Sequence, residues 1–327
     1  MAPKSNPQLQ QAKHVGPRMA IALKSIVIAC CVCAALLTSA CAPAQQVSGS
    51  SNDQNPGSST QVATDAAAED TADTEVTDVK AEEDEMTDAG ATDTGELTSR
   101  DQDFAVDPNR TTDWNYDGND KKTVYLTIDD GPSENTEKVL DILDQYGCKA
   151  TFFVVGLDSN YFPMIKEAYD RGHTIGLHSD THDYATVYAS VDAYFNDLDA
   201  IGQIVKDQIG YVPCFIRFPG GSSNMVSADY CTGIMTALVD EVQERGYQYY
   251  DWNMSVGDGS VHTTDEIVGY GTEPTDLTNI VLLCHDSATK QSTVEALPRI
   301  IEHYQELGYS FEAIDRSSFV PHHGVGN

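Results

Sequence analysis

The chain has 327 residues, of which 51 are acidic and 19 basic, giving a formal charge of −32, and 40% are apolar. So strong a polyanion repels phosphate backbones, whose hold on proteins comes mainly from Lys and Arg, and this excludes a nucleic-acid binder. Acidic residues run through the whole chain, but aromatic and branched residues in periodic runs occur only after residue 115. A core is expected only there, and roughly 200 residues suit one domain.

From the N-terminus, Lys4, Lys13, Arg18 and Lys24 precede an uncharged apolar run from Ser25 to Leu37, followed by small residues up to Ala44. Residues 1–44 read as an export signal, which places the remainder outside the cytoplasm, in the cell envelope. Three fates stay open. Leu37-Thr38-Ser39-Ala40-Cys41 resembles a lipobox in which Cys41 is acylated, although the leucine stands four residues ahead of the cysteine instead of three. Cleavage near Ala42-Pro43-Ala44 is the second, and an uncleaved membrane anchor the third, since a bilayer core needs roughly 20 apolar residues. Any membrane contact is expected through this segment alone, and the protein is expected to be a monomer. Residues 45–115, rich in Asp, Glu, Thr, Ala, Ser and Gly, bury too little surface to offset ordering entropy and read as a disordered acidic linker. Its reach as a coil is roughly 45 Å or more.

Residues 116–327 form the expected catalytic domain. Seven strands are predicted: Val124 to Ile128, Ala150 to Val155, Thr174 to Leu177, Phe215 to Phe218, Tyr247 to Tyr250, Ile280 to Leu283 and Phe311 to Ile314. Between them, Val139, Ile142, Leu143 and Tyr146 mark one helical face. Val191, Phe195, Leu198, Ile201 and Val205 mark another, and Ile234, Leu238 and Val242 a third. Gly147, Gly172, Gly246 and Gly308 stand where a helix gives way to a strand, the left-handed position that glycine occupies without a Cβ penalty. Alternation of this kind predicts an α/β fold of barrel type. Pro298 predicts a final helix that is kinked or begins late.

In such folds the working residues lie at the C-terminal ends of strands. Asp129-Asp130-Gly131 follows the first strand and His178-Ser-Asp-Thr-His182 the third. Arg217 lies near the end of the fourth, Asp251-Trp252 follows the fifth, and Cys284-His285-Asp286 the sixth. His178 and His182, four apart, would share one face of a helical turn and so one tetrahedral metal. One aspartate of the Asp129-Asp130 pair with the two histidines makes three protein ligands and leaves a fourth position open, the arrangement of a catalytic metal site. The other aspartate is then free to act as a base on water.

These residues resemble the polysaccharide deacetylases, the NodB-homology group or carbohydrate esterase family four, over roughly Lys122 to Ile314. TIDDGPS from Thr127 to Ser133 is similar to that family's first motif, which implies Asp129 as general base and Asp130 as metal ligand. HSDTH is similar to the second and implies His178 and His182 as the other ligands. RFPGG from Arg217 to Gly221 resembles the third, whose arginine pairs with the base. Asp251-Trp252 resembles the fourth, and Leu283-Cys284-His285 the fifth, whose histidine is the catalytic acid. The resemblance implies a distorted (β/α)7 barrel and hydrolysis of N-acetyl, sometimes O-acetyl, groups on glycans. It further implies that the N–H of Gly220 binds the oxyanion, that Asp251 orients His285, and that Trp252 and Leu283 wall a pocket for the acetyl methyl. The expected cofactor is one divalent ion, zinc first, with cobalt, nickel or manganese also suited to a His₂Asp set. Two departures stand out. Ile128 replaces a phenylalanine, and Gly220 stands where many members carry tyrosine, so an aromatic wall is lost.

The expected substrate is a cell-wall glycan, peptidoglycan N-acetylglucosamine first, with chitin-like oligomers, muramic acid and acetylxylan as alternatives. A non-catalytic glycan-binding module is the rival of another class, opposed by the presence of both base and acid. A metalloprotease is excluded because no HExxH occurs. Cys148, Cys214, Cys231 and Cys284 permit three full pairings, none in a CxxC spacing, and Cys284 reads as a buried thiol. His173 reads as a buried structural residue, His322 and His323 as tail residues.

Overall fold

The computed structural model describes residues 97–327. The expectations for the export signal, Cys41 and the linker up to residue 96 therefore lie outside the described residues. In chain order the elements are α1 (Ser99–Phe104), β1 (Thr123–Asp129), α2 (Thr136–Gln145), β2 (Ala150–Val155), α3 (Pro163–Asp170), β3 (Thr174–Ser179), α4 (Tyr184–Val187) and α5 (Val191–Ile209). There follow β4 (Phe215–Ile216), α6 (Ile234–Glu244), β5 (Gln248–Tyr249), β6 (Met254–Ser255), α7 (Thr264–Gly271), β7 (Asn279–His285), α8 (Gln291–Glu306) and β8 (Ser310–Phe311).

The strands form one curled parallel sheet in the order β5-β4-β3-β2-β1-β7-β6, with β8 beside β1. This is the distorted α/β barrel expected, with β6 as an eighth strand. The centre is covered on both faces: β1 and β2 are buried along their whole length, and β7 in all but His285. Continuous burial of this kind belongs to parallel strands covered on both faces. Along β1, Thr123 and Val124 pair with β8, and β2 takes over that side from Leu126 onward. On its other side β1 pairs with β7 as far as Asp129 opposite His285. The candidate base and acid are thus brought side by side by strand register alone.

The helices follow their stripes. On α5, Tyr194, Phe195, Leu198, Ile201 and Val205 are buried against the sheet, Ser190 Oγ accepts the Ala193 N–H, and Gly210 ends the helix at φ +88°. Gly147, Gly172, Gly246 and Gly308 all have φ between +64° and +89°, as their place between helix and strand requires. The last helix does not begin late, since α8 starts at Gln291 and runs through Pro298. Cys148, Cys214 and Cys284 are buried free thiols and Cys231 is a half-buried one, so none of the three pairings forms.

Residues ahead of the boundary expected at 115 also touch the fold. Phe104 on α1 is buried and meets Phe215 edge-on at 5.1 Å, while Trp114 meets the same ring at 6.4 Å. The Cys214 N–H donates to the Phe104 carbonyl at 2.8 Å and the Val106 N–H to the Val212 carbonyl at 2.9 Å. A Cβ on Gly246 would fall 2.6 Å from the Asp107 backbone carbonyl carbon, so the segment lies directly on the fold. Phe104, Val106 and Trp114, scattered among polar residues, anchor it. They are too few to show a period.

Candidate active site

β1 ends in two aspartates that point apart. Asp129 continues the strand, whereas Asp130 turns at φ +70° and sends its carboxylate toward the end of β3. His178 lies on β3, and the helical turn expected to carry it and His182 is absent. A strand end followed by a left-handed turn, with His182 at φ +49°, brings the two imidazoles together instead. Among the described residues, Asp130 and His182 are the two non-glycine residues with positive φ. Backbone strain of this kind costs of order 1–3 kcal/mol per residue and collects at functional sites. Asp130 Oδ1 lies 3.5 Å from His178 Nε2 and 3.4 Å from His182 Nε2.

That geometry fits a metal. Three ligand atoms on a tetrahedral ion with bonds of about 2.0–2.1 Å stand about 3.3 Å apart. Asp130 Oδ1 is buried with no hydrogen-bond partner, a cost that an ion would remove. His178 Nδ1 donates to the Arg217 carbonyl at 2.7 Å, and because a carbonyl only accepts, Nε2 keeps its lone pair for the cluster. Burial lowers the His178 pKa to about 3 against the pull of Asp130, so the ring is neutral, the form that ligates.

Beside the cluster stand an aspartate and a histidine with different partners. Burial raises the Asp129 pKa, and the Arg217 guanidinium, His285 and His182 pull it back. Arg217 is fully buried. Its Nη1 donates to Asp129 Oδ1 and Thr127 Oγ1, both at 2.8 Å, its Nε to the Tyr250 carbonyl and its Nη2 to the Asp251 carbonyl, both at 2.9 Å. Its guanidinium also lies over the Phe153 ring at 4.4 Å. On the other side His285 Nδ1 donates to Asp258 Oδ1 at 2.8 Å, and the His285 N–H to Asp258 Oδ2 at 2.9 Å. Burial disfavours the imidazolium, but the hydrogen bond and charge of Asp258, then Asp129 and Asp130, outweigh it and raise the pKa to about 9.

The partner of His285 is therefore Asp258, not Asp251. Asp251 instead ties down the loop after β4: it accepts the Ser222 N–H at 2.9 Å, the Ser222 hydroxyl at 2.5 Å and the His323 N–H at 2.7 Å. The reason is topological. Asp251 leaves β5 at one edge of the sheet, while Asp258 follows β6, which is paired to the strand carrying His285. Thr293 Oγ1 and the Lys290 ammonium, from the start of α8, hold Asp258 and its carbonyl in turn. The one local mark Asp258 carries in sequence is the Val256-Gly257-Asp258-Gly259-Ser260 stretch, an aspartate between glycines just after Met254-Ser255.

Gly220 and Gly221, at φ +77° and +76°, form the tip of the loop. The Gly221 N–H closes onto the Phe218 carbonyl at 2.8 Å, leaving the Gly220 N–H without an acceptor among the described residues. A Cβ on Gly220 would fall 2.4 Å from the Tyr184 hydroxyl, so Tyr184, on α4 beside His182, occupies the position where a side chain at Gly220 would begin. Trp252 is half-buried against Gly221, with ring atoms 3.0 Å from where a Cβ there would lie. Leu283 is buried on β7. An open groove of about 260 Å³ leads away from Asp130 between Ser133, Leu157, Tyr161 and Ser287.

The remaining histidines divide. His173 is buried and accepts the Ala150 N–H through Nδ1 at 3.1 Å, with burial lowering its pKa to about 4, the structural role expected. His322 and His323 are not tail residues. The His322 ring stacks on Tyr249 at 3.8 Å, and His323 Nε2 donates to the Trp252 carbonyl at 2.6 Å, so the C-terminal segment seals the sheet edge at β5.

A family model described as polysaccharide deacetylase matches residues 116–232. A peptidoglycan-N-acetylglucosamine deacetylase of Bacillus cereus is 31% identical over 227 residues, 66% of this chain and 78% of that protein. Among solved structures, the catalytic domain of a peptidoglycan N-acetylglucosamine deacetylase from Eubacterium rectale is 44% identical with a TM-score of 0.63, matching 68% of this chain and all of that one. The polysaccharide deacetylase Bc1974 of Bacillus cereus is 31% identical with a TM-score of 0.54, over 62% of this chain and 96% of its own. The chain belongs to the polysaccharide deacetylase family and is a hydrolase that removes acetyl groups from a polysaccharide. Asp130, His178 and His182 make a set consistent with the divalent metal site of that family.

Proposed function

We propose that the protein is a zinc-dependent deacetylase of peptidoglycan N-acetylglucosamine, exported and held in the cell envelope by its N-terminal segment. The carrying observation is the convergence of an unpartnered Asp130 carboxylate and two imidazole Nε2 atoms, flanked by Asp129 on Arg217 and by His285 on Asp258. When bound by Asp130, His178 and His182, the divalent ion would polarise the acetyl carbonyl and lower the pKa of a water. Asp129, its basicity raised by burial and its orientation fixed by Arg217, takes the proton of the attacking water. The Gly220 N–H, held in place by Asp251 through Ser222, faces the oxygen that gains charge as the carbonyl carbon becomes tetrahedral. His285, kept cationic by Asp258, delivers a proton to the departing sugar nitrogen, and acetate leaves. Trp252 and Leu283 bound the space for the acetyl methyl.

The glycan assignment draws on the relatives named as acting on peptidoglycan, together with the export signal and acidic linker. The linker would let the domain sweep polymer tens of ångströms from its anchor. Incubating the purified chain with peptidoglycan, chitooligosaccharides or acetylxylan, with and without a chelator, and measuring acetate tests it. Release is expected from peptidoglycan above the others, abolished by the chelator and restored by zinc. Preference for either other glycan would replace the substrate while keeping the reaction.

A further inference from the structure

The segment joining the two candidate histidine ligands has no regular structure of its own. β3 stops at Ser179, α4 starts at Tyr184, and His182 between them holds a left-handed backbone. Its N–H groups and hydroxyls must find partners elsewhere, and most find one side chain. Asp197, on α5 and 7% exposed, accepts the Ser179 hydroxyl at 2.7 Å and the Asp180 N–H at 2.8 Å through Oδ2. Through Oδ1 it accepts the Thr181 N–H at 3.0 Å and the Thr181 hydroxyl at 2.7 Å. Those four donors take up the lone-pair sites that one carboxylate offers. Ser179 Oγ relays the restraint by accepting the His182 N–H at 2.8 Å. The carboxylate itself sits on a helix fixed by the buried Tyr194, Leu198 and Ile201 and capped at both ends.

We propose that Asp197 is a positioning residue of the metal centre. It presets the Ser179–Thr181 segment so that the His182 ring faces Asp130 and His178 before the ion arrives, sparing binding the cost of ordering the loop. The proposal rests on the divalent-metal reading above. A neutral amide cannot substitute for it. Whichever way an asparagine is turned, its NH₂ group faces a backbone N–H, that of Asp180 or that of Thr181.

The test is zinc affinity of the full chain by chelator competition, with the visible absorption of the cobalt-loaded protein and melting of the metal-free protein measured alongside. Asp197→Asn is expected to weaken zinc binding by about 10- to 100-fold and to shift the cobalt spectrum. Asp199→Asn, an exposed carboxylate on the same helix, is expected to leave both unchanged. Thr181→Val, which removes one of the four donors, is expected to weaken zinc binding by about two- to tenfold, the scale of one hydrogen bond. Wild-type affinity and spectrum in Asp197→Asn would overturn the proposal, as would an equal loss in Asp199→Asn. If Asp197→Asn fails to fold, wild-type affinity in Thr181→Val overturns it instead. Failure of the unmodified chain to bind zinc or cobalt would overturn the metal reading itself, a separate outcome.

Discussion

Two histidines at strand ends, His178 on β3 and His285 on β7 with β2 and β1 between them, both lose solvent and are driven in opposite directions. Burial disfavours the cation in both. His178 gives its Nδ1 proton to a neutral carbonyl, that of Arg217, and its pKa falls to about 3. His285 gives the same proton to a buried carboxylate, Asp258, which also grips its backbone N–H, and its pKa rises to about 9. The group on Nδ1 therefore decides whether the ring is a ligand or an acid. Titratable groups pushed apart by their surroundings mark the division of labour in a site.

The widest break in that comparison comes from the base and acid. Asp129→Asn and His285→Ala are each expected to lose turnover by roughly 10²- to 10⁴-fold while retaining stoichiometric metal, since neither is among the three ligands. Acetate release and metal content, measured on the same preparations, check both halves. Metal loss in Asp129→Asn would mean that the two aspartates have exchanged roles, and unchanged release in His285→Ala would remove that histidine from the reaction.

Asp258→Asn sharpens the contrast by making the surroundings of His285 resemble those of His178. Asparagine keeps an acceptor near Nδ1 but removes the charge, so the imidazolium pKa should fall from about 9 toward its ordinary 6.5. A general acid works only while protonated. The alkaline limb of kcat/KM is therefore expected to move to lower pH, with activity at pH 8 reduced roughly tenfold or more and the acid limb unmoved. Asp251→Asn should leave that limb in place, because Asp251 serves the Gly220 loop.

A smaller effect is expected at the loop. Gly220→Tyr restores the residue that many family members carry, yet its Cβ would strike the Tyr184 hydroxyl and its backbone stands at φ +77°. The backbone conformation alone costs about 1–2 kcal/mol. Denaturant midpoints should show that loss plus a packing loss, and Tyr184→Ala in the same chain should recover only the packing part.

Much of the site was legible because its residues lie at or just past the end of a long buried strand, where a run of apolar residues stops at a reactive one. Asp129, Asp130, His178 and His285 all occupy such places. Asp258 was not legible, because the strand that presents it, Met254–Ser255, is too short to show any alternation, and its partner lies 27 residues away in the chain. Tyr184 escaped for the same reason, sitting on a helix of a single turn. The spacing of four between His178 and His182 misled differently, since a strand end with a left-handed turn closes the same distance as a helix.

The weakest consequence concerns stability without metal, and here the signs of the two histidine classes oppose. His178 and His173 have folded pKa values lowered to about 3 and 4, so the unfolded chain binds more protons below its ordinary 6.5. Their contribution is complete above that value and is lost as pH falls from 6.5 toward 3. His285 has a raised folded pKa, so its contribution is complete below 6.5 and is lost as pH rises through about 9. The metal-free domain should therefore melt highest near pH 6.5 and lower on both sides. For a domain of this size about 2–4 °C accompanies each kcal/mol. Asp258→Asn should flatten the alkaline side alone, and a variant that flattened both sides would show the two histidines to be coupled through Asp129 and Asp130 instead of set separately by their own Nδ1 partners.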